Sequence, residues 1–145
     1  MSVLVDTNIL LRRLEPRHAH YRDAVAALGR LIESGEAVHV TAQNVAEFWA
    51  AATRTPAQNG LGLSLTAAAA AVDRIEQTFV LLPDEPTIYE HWKRLITMHQ
   101  VSGNRAYDAR LVAVMLVYGI GRILTFNVSD FAGYGVSVLH PSVVS

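Results

Sequence analysis

A 145-residue chain that is 51% apolar and only 17% charged can bury a full core, which sets aside a disordered or low-complexity protein. Its formal net charge of -1 sets aside a uniformly basic nucleic-acid-binding surface, and the absence of cysteine removes disulfides, thiolate nucleophiles and cysteine-ligated zinc or iron–sulfur centres together. Any metal must therefore be held by oxygen or by histidine.

The first element is Val3–Val5, three apolar residues without alternation, as in a strand covered on both faces of a parallel sheet. Asp6 ends that run, and the polar pair Thr7 and Asn8 follows it. Ligands of open α/β sheets bind beyond the carboxyl ends of the strands, so a charge at this point raises the question of whether other acids reach the same edge. Further strands are expected at Val38–Val40, Phe79–Leu82, Arg122–Phe126 and Val136–Leu139, with helices at His18–Ile32, Ala42–Thr53, Leu65–Gln77, Pro86–His99 and Asn104–Val117. The alternation predicts an α/β domain with a parallel sheet. "RTPAQNGLGLS" has the Pro and Gly density of a surface loop between two helices. "NVSDFAGYG", between the last two strands, is too short for an ordinary crossover helix and requires a tight turn or one helical turn. The longest apolar run, "LVAVMLVYGI", falls short of the ~18 residues of a membrane span, and no basic leader precedes Val3, so a soluble, cytoplasmic protein is expected.

Three acids besides Asp6 stand in distinctive settings. Glu47 is the only acid between Glu36 and Asp73, in the apolar helix "NVAEFWAAA". A buried carboxylate without a partner is costly, yet Val45, Phe48, Trp49 and Ala52 form a stripe with Glu47 roughly opposite, so by pattern alone Glu47 reads as solvated. Asp108 shares a helix face with Leu111, Val112 and Met115, and Asn104 could cap that helix. There the acid is either turned to the core side or simply favoured by the helix dipole in the first turns, and spacing leaves both readings open. "TFNVSDF" places Thr125, Asn127 and Asp130 at or just past another strand end, where ordinary turn chemistry would also suit Asn, Ser and Asp.

If Asp6, Glu47, Asp108 and Asp130 meet, carboxylates about 5 Å apart repel by roughly 3 kcal/mol at an effective dielectric near 20. A hard divalent cation such as magnesium or manganese would relieve that repulsion and take oxygen ligands. The chemistry to expect is metal-assisted hydrolysis of a phosphodiester.

These residues resemble the PIN-domain nucleases, and in particular the VapC-type toxins of toxin–antitoxin pairs. The resemblance covers nearly the whole chain and is carried by "LVDTNILL", "NVAEFWAA", "YDARLVAVMLVYGIGRILTFN" and "TFNVSDF" in that order. It implies one PIN-like ribonuclease domain over residues 1–145, with a five-stranded parallel sheet in the order 3-2-1-4-5 flanked by helices. By position, Asp6, Glu47 and Asp108 resemble the principal metal-binding acids, and Asp130 the acid that closes the last motif. Thr7 and Asn8 resemble the residues that steady the first acid, and Thr125 the hydroxyl that opens the last cluster. Asn127 stands where many members carry aspartate, a departure that bears on a second metal ion. The implied activity is Mg2+-dependent endoribonuclease chemistry, with Mn2+ as a substitute, an RNA substrate, a small antitoxin protein as partner and a homodimeric state.

Other readings fit less well. Aspartate-nucleophile phosphatases need a second aspartate two positions after the first, where this chain has Asn8. A phosphorylation receiver with Asp84 as acceptor would want a lysine after the last strand, and Lys93 is the only lysine. A housekeeping nuclease without an antitoxin and an inactive RNA-binding domain of the same fold remain alternatives, the second disfavoured by the presence of all the principal acids. His18 and His20, taken as helical, would point apart at the surface. Arg12, Arg13 and Arg17 could meet substrate phosphates or line a solvated helix face equally well.

Overall fold

The computed structural model describes residues 1–144. Its elements run β1 (Ser2–Val5), α1 (Thr7–Arg12), α2 (Tyr21–Glu33), β2 (Ala37–Thr41), α3 (Ala42–Thr53), α4 (Leu65–Thr78), β3 (Val80–Leu82), α5 (Thr87–Met98), α6 (Arg105–Tyr118), β4 (Arg122–Leu124) and β5 (Ser137–Leu139), with short 3-10 turns at Pro56–Gln58, Val128–Phe131 and Pro141–Val143. All strand pairs are parallel, and the order is β3-β2-β1-β4-β5, as the resemblance implies.

The non-alternating run in β1 has a direct cause. Val3, Leu4 and Val5 are fully buried, but Val3 and Val5 pack into one hydrophobic cluster with α2, α3 and α4, while Leu4 packs into the other with α5 and α6. A central strand with helices on both faces has no solvent side, so every position is apolar. Each such aliphatic side chain contributes about 1.5–3 kcal/mol on burial. The order in which strands are added reverses at β1: β2 and β3 continue to one side, β4 and β5 to the other. That switch point opens a crevice beyond the carboxyl ends of β1 and β4.

Two expected boundaries shift by more than one residue, the start of α2, at Tyr21 rather than His18, and the end of β4. β4 ends at Leu124 rather than Phe126: the Thr125 amide still donates to Leu139 O (3.0 Å), and the chain then turns, with the Asn127 amide donating to Thr125 Oγ1 (3.0 Å). The link to β5 is the single 3-10 turn Val128–Phe131, anchored by fully buried Phe131, which satisfies the short-connection constraint. α1 was not legible as an element, since its six residues are too few to display a helical period. None of the described helices is long and apolar enough to cross a membrane.

Candidate active site

Asp6 lies where β1 stops and α1 starts. Its amide still donates to Leu124 O (2.9 Å), extending the β1–β4 pairing by one residue, and its Oδ1 accepts from the Thr7 amide at 2.8 Å as the N-cap of α1. Its other oxygen, Oδ2, accepts from Thr125 Oγ1 at 2.8 Å and from Asn8 Nδ2 at 3.4 Å. Asp6 is 8% exposed. Burial pushes its pKa up, the Thr125 and Thr7 hydrogen bonds hold it down, and the charges of Glu47 and Asp130 push it up again.

Glu47 projects from α3 toward the same crevice, partly buried rather than solvated. The buried face of α3 is Asn44, Phe48 and Ala52, while Ala46 and Ala50 are exposed, so the helix is rotated from the apolar stripe that the sequence suggests. Thr7 Oγ1 donates to Glu47 Oε1 at 2.8 Å, and Gln43 Nε2 reaches Oε2 at 3.4 Å. Thr7 Oγ1 in turn accepts from Asn44 Nδ2 (3.1 Å), and Asn44 is oriented by the Thr41 amide and hydroxyl, each 2.9 Å from Asn44 Oδ1. The chain Thr41–Asn44–Thr7–Glu47 thus fixes the acid through a helix capping box. Sequence reasoning missed Thr41 and Asn44, although "TAQN" at the start of a helix carries the spacing of that motif.

Asp108 occupies the first turn of α6, where the helix dipole favours an anion. Asn104 stands at the N-cap position but makes no side-chain capping bond, contrary to expectation, because its backbone is already helical. Burial pushes the Asp108 pKa up to about 7, reinforced by the charges of Asp6, Asp130 and Glu47 and opposed by Arg105. Asp130, in the 3-10 turn after β4, is felt by both Asp6 and Asp108 without lining their cleft. Asn127 does line it, and its amide donates to Thr125 Oγ1 at 3.0 Å. The cleft has a volume of about 360 Å³ and brings together Asp6, Thr7, Asn8, Glu47, Asp108 and Asn127.

The other candidates lie apart. His18 and His20 sit in a turn ahead of α2, not on a helix; their ring centroids are 5.3 Å apart, and His20 stacks on Phe126 at 4.3 Å. Arg13 is partly buried with its guanidinium over the Phe79 ring, and Arg12 pairs with Glu15, so neither fits the picture of a solvated helix face.

Among the described residues no three His, Asp or Glu side chains close tightly enough on one point to enclose an ion. The donor chemistry suits a hard divalent cation all the same: the groups are oxygens, they carry like charge, and burial together with the other acids disfavours the ionised form of Asp108 in the absence of a cation. Asp6, Glu47 and Asp108 are the residues that could hold such an ion, with Asp130 adding charge from outside the cleft.

A family profile described as PIN domain matches residues 3–134. No curated protein matches the chain. Among solved structures, FitAcB from Neisseria gonorrhoeae aligns with a TM-score of 0.68 at 25% identity, over 97% of this chain and 99% of that one. A toxin–antitoxin complex from Klebsiella pneumoniae aligns with a TM-score of 0.60 at 22% identity, over 96% and 97% of the two chains. VapC20 from Mycobacterium tuberculosis, a sarcin-ricin loop cleaving toxin, aligns with a TM-score of 0.60 at 21% identity, over 83% and 86%. The last two likenesses are of fold. The matched span runs from β1 to beyond the 3-10 turn and takes in every acid of the cleft and the sheet edge that gathers them, and the chain belongs to the PIN-domain family.

Proposed function

We propose that the chain is a metal-dependent endoribonuclease and the toxin of a toxin–antitoxin pair, with residues 1–145 acting as one ribonuclease domain. The observation that carries this reading is that Asp6, Glu47 and Asp108, acids from three separate elements, line one cleft at the carboxyl edge of a parallel sheet. Membership of the PIN-domain family supports nuclease chemistry. The likeness to a toxin–antitoxin complex supports an antitoxin partner, and the likeness to a sarcin-ricin loop cleaving toxin supports an RNA substrate; a homodimeric state is carried by the family resemblance alone.

Asp6, Glu47 and Asp108 would hold the ion, preferably Mg2+ with Mn2+ as substitute. When bound, it supplies Lewis acidity and neutralises carboxylate charge that would otherwise repel an RNA phosphate. Thr125 and Thr7 keep the carboxylates of Asp6 and Glu47 turned toward the cleft, each through a 2.8 Å hydrogen bond. Asp108, whose pKa burial pushes up to about 7 without metal, is the cleft acid whose ionised form a bound cation would favour most. Asn8 links Asp6 to Thr125, 3.4 and 3.3 Å from their side-chain oxygens, and so ties the two strand ends together.

The test is twofold. Purified protein with Mg2+ or Mn2+ should cut RNA and lose that activity on chelation. Induced expression should arrest bacterial growth, co-expression of the neighbouring small protein should restore it, and Asp6→Asn should be harmless. RNA cleavage without growth arrest in a host lacking that neighbour would favour the housekeeping-nuclease alternative.

A further inference from the structure

The acidic cleft is lined by one cation, Arg54, which takes no part in holding the acids. Arg54 is exposed, directly follows α3, and has no carboxylate within ion-pair distance among the described residues. The arginine acting on Asp108 is Arg105. Beyond Arg54 the cleft continues into a second hollow of about 410 Å³, and Leu11, Ala51 and Arg54 line both. The second hollow also contains Arg12, but Glu15 already pairs with that charge. A single groove therefore leads from the carboxylates past one unpaired guanidinium.

The loop after α3 fixes where that guanidinium begins. Leu61 N donates to Ala51 O (3.1 Å), Leu63 N to Ala52 O (2.9 Å) and Gly62 N to Arg54 O (2.8 Å), which satisfies carbonyls that a helix end leaves without partners. Asn59 takes a left-handed φ of 61°, a conformation that asparagine tolerates better than most residues. Gly60 then passes so close to Arg54 that a Cβ there would lie 2.0 Å from the Arg54 carbonyl oxygen. The backbone of Arg54 is thus locked at the mouth of the cleft while its side chain stays open to solvent.

We infer that Arg54 binds the RNA phosphate next to the scissile one, so that the groove between α1 and the end of α3 carries the strand out of the acidic cleft; this rests on the ribonuclease reading above. An RNA strand entering a ring of carboxylates is repelled at every phosphate, and a fixed cation beside the ring gives one of them a favourable place. Guanidinium suits the task, since its planar fork meets two phosphate oxygens at once.

An RNA oligonucleotide containing a site that the wild-type protein cuts provides the test, made also with a single uncharged methylphosphonate at each linkage flanking that site. Arg54→Ala should raise KM about tenfold, with the effect on KM rather than kcat and no change in melting temperature, and Arg54→Lys should recover part of the loss. At one flanking linkage the methylphosphonate should raise the wild-type KM by a similar factor and leave the KM of Arg54→Ala unmoved. A wild-type KM for Arg54→Ala, or an equal methylphosphonate penalty in both proteins, would overturn the assignment of Arg54 alone. Failure of the wild-type protein to cut any RNA would overturn the ribonuclease reading with it.

Discussion

Thr125 Oγ1 donates to Asp6 Oδ2 at 2.8 Å, joining two residues 119 positions apart across the adjacent strands β1 and β4. The same hydroxyl oxygen accepts from the Asn127 amide at 3.0 Å and from Asn8 Nδ2 at 3.3 Å, so one fully buried threonine sets the carboxylate, the strand end and the turn together.

Thr125→Val keeps the shape and removes that donor. The Asp6 carboxylate then loses its shortest side-chain hydrogen bond in a buried setting, which should cost about 1–3 kcal/mol of stability at pH 7 without metal. Metal affinity should fall roughly 10–100-fold, as for other lost supports of metal ligands. Thr125→Ser should restore both. Chemical denaturation and calorimetric titration with Mn2+ measure the two effects separately, and wild-type affinity in Thr125→Val would show that the bond does not position a metal ligand.

Asp6→Asn, Glu47→Gln and Asp108→Asn should each lower metal-dependent RNA cleavage by at least about a hundredfold, the scale on which lost electrostatic stabilisation at a reaction centre is felt. Each should leave the metal-free fold intact. Asp108→Asn should raise metal-free stability, because it removes a carboxylate that burial, Asp6, Asp130 and Glu47 all disfavour in its charged form. Near-wild-type cleavage by two of the three variants would remove the proposed site.

The pH dependence of stability follows from the same residue. The folded-state pKa of Asp108 is pushed up to about 7 from 3.8, so the folded protein keeps a proton that the unfolded chain has already released. Its contribution is fully present below about pH 4, declines as pH rises toward 7 and is gone above that. Metal-free protein should therefore lose stability between pH 5 and 7.5, with a shallower slope for Asp108→Asn. Saturating Mg2+ should flatten the wild-type slope by favouring the ionised form. Urea midpoints measured across that pH range decide the matter, and identical slopes for the wild type and Asp108→Asn would refute it.

Asn127 presents a neutral amide to the cleft at a position that could have carried another carboxylate. Without RNA the protein should hold at most one metal ion per chain, weakly, and any second ion should arrive with substrate phosphate. Asn127→Asp adds a full charge and should tighten Mn2+ binding about tenfold, the effect of one favourable carboxylate interaction of roughly 1.4 kcal/mol. Two tight sites in the RNA-free wild type, or no gain for Asn127→Asp, would show in the calorimetric isotherm and would exclude the amide from metal binding.

Much of the architecture is written locally. The buried run of β1, the helical periods of α2 to α6 and the brevity of "NVSDFAGYG" each follow from which neighbouring residues must be apolar and how far a chain of given length can reach, and these constraints hold before any tertiary contact forms. Asp6 at a strand end was legible for the same reason. Which way Glu47 faces was not. The apolar face of α3 admits more than one rotation, and the choice is made by the packing of Asn44, Phe48 and Ala52 and by Thr7, 40 positions away, which donates to the Glu47 carboxylate. Pairing of His20 with Phe126 likewise depends on a helix that starts only at Tyr21, so a helical spacing argument at His18 and His20 had no helix to act on. The clustering of Asp6, Glu47, Asp108 and Asp130 is a property of the tertiary fold: parallel strand order brings β1 beside β4 and sets α3 and α6 over one edge. Burial there then raises the Asp108 pKa and charges from three other elements reinforce the rise, a shift that no stretch of sequence contains because the packing and the charges both come from distant parts of the chain.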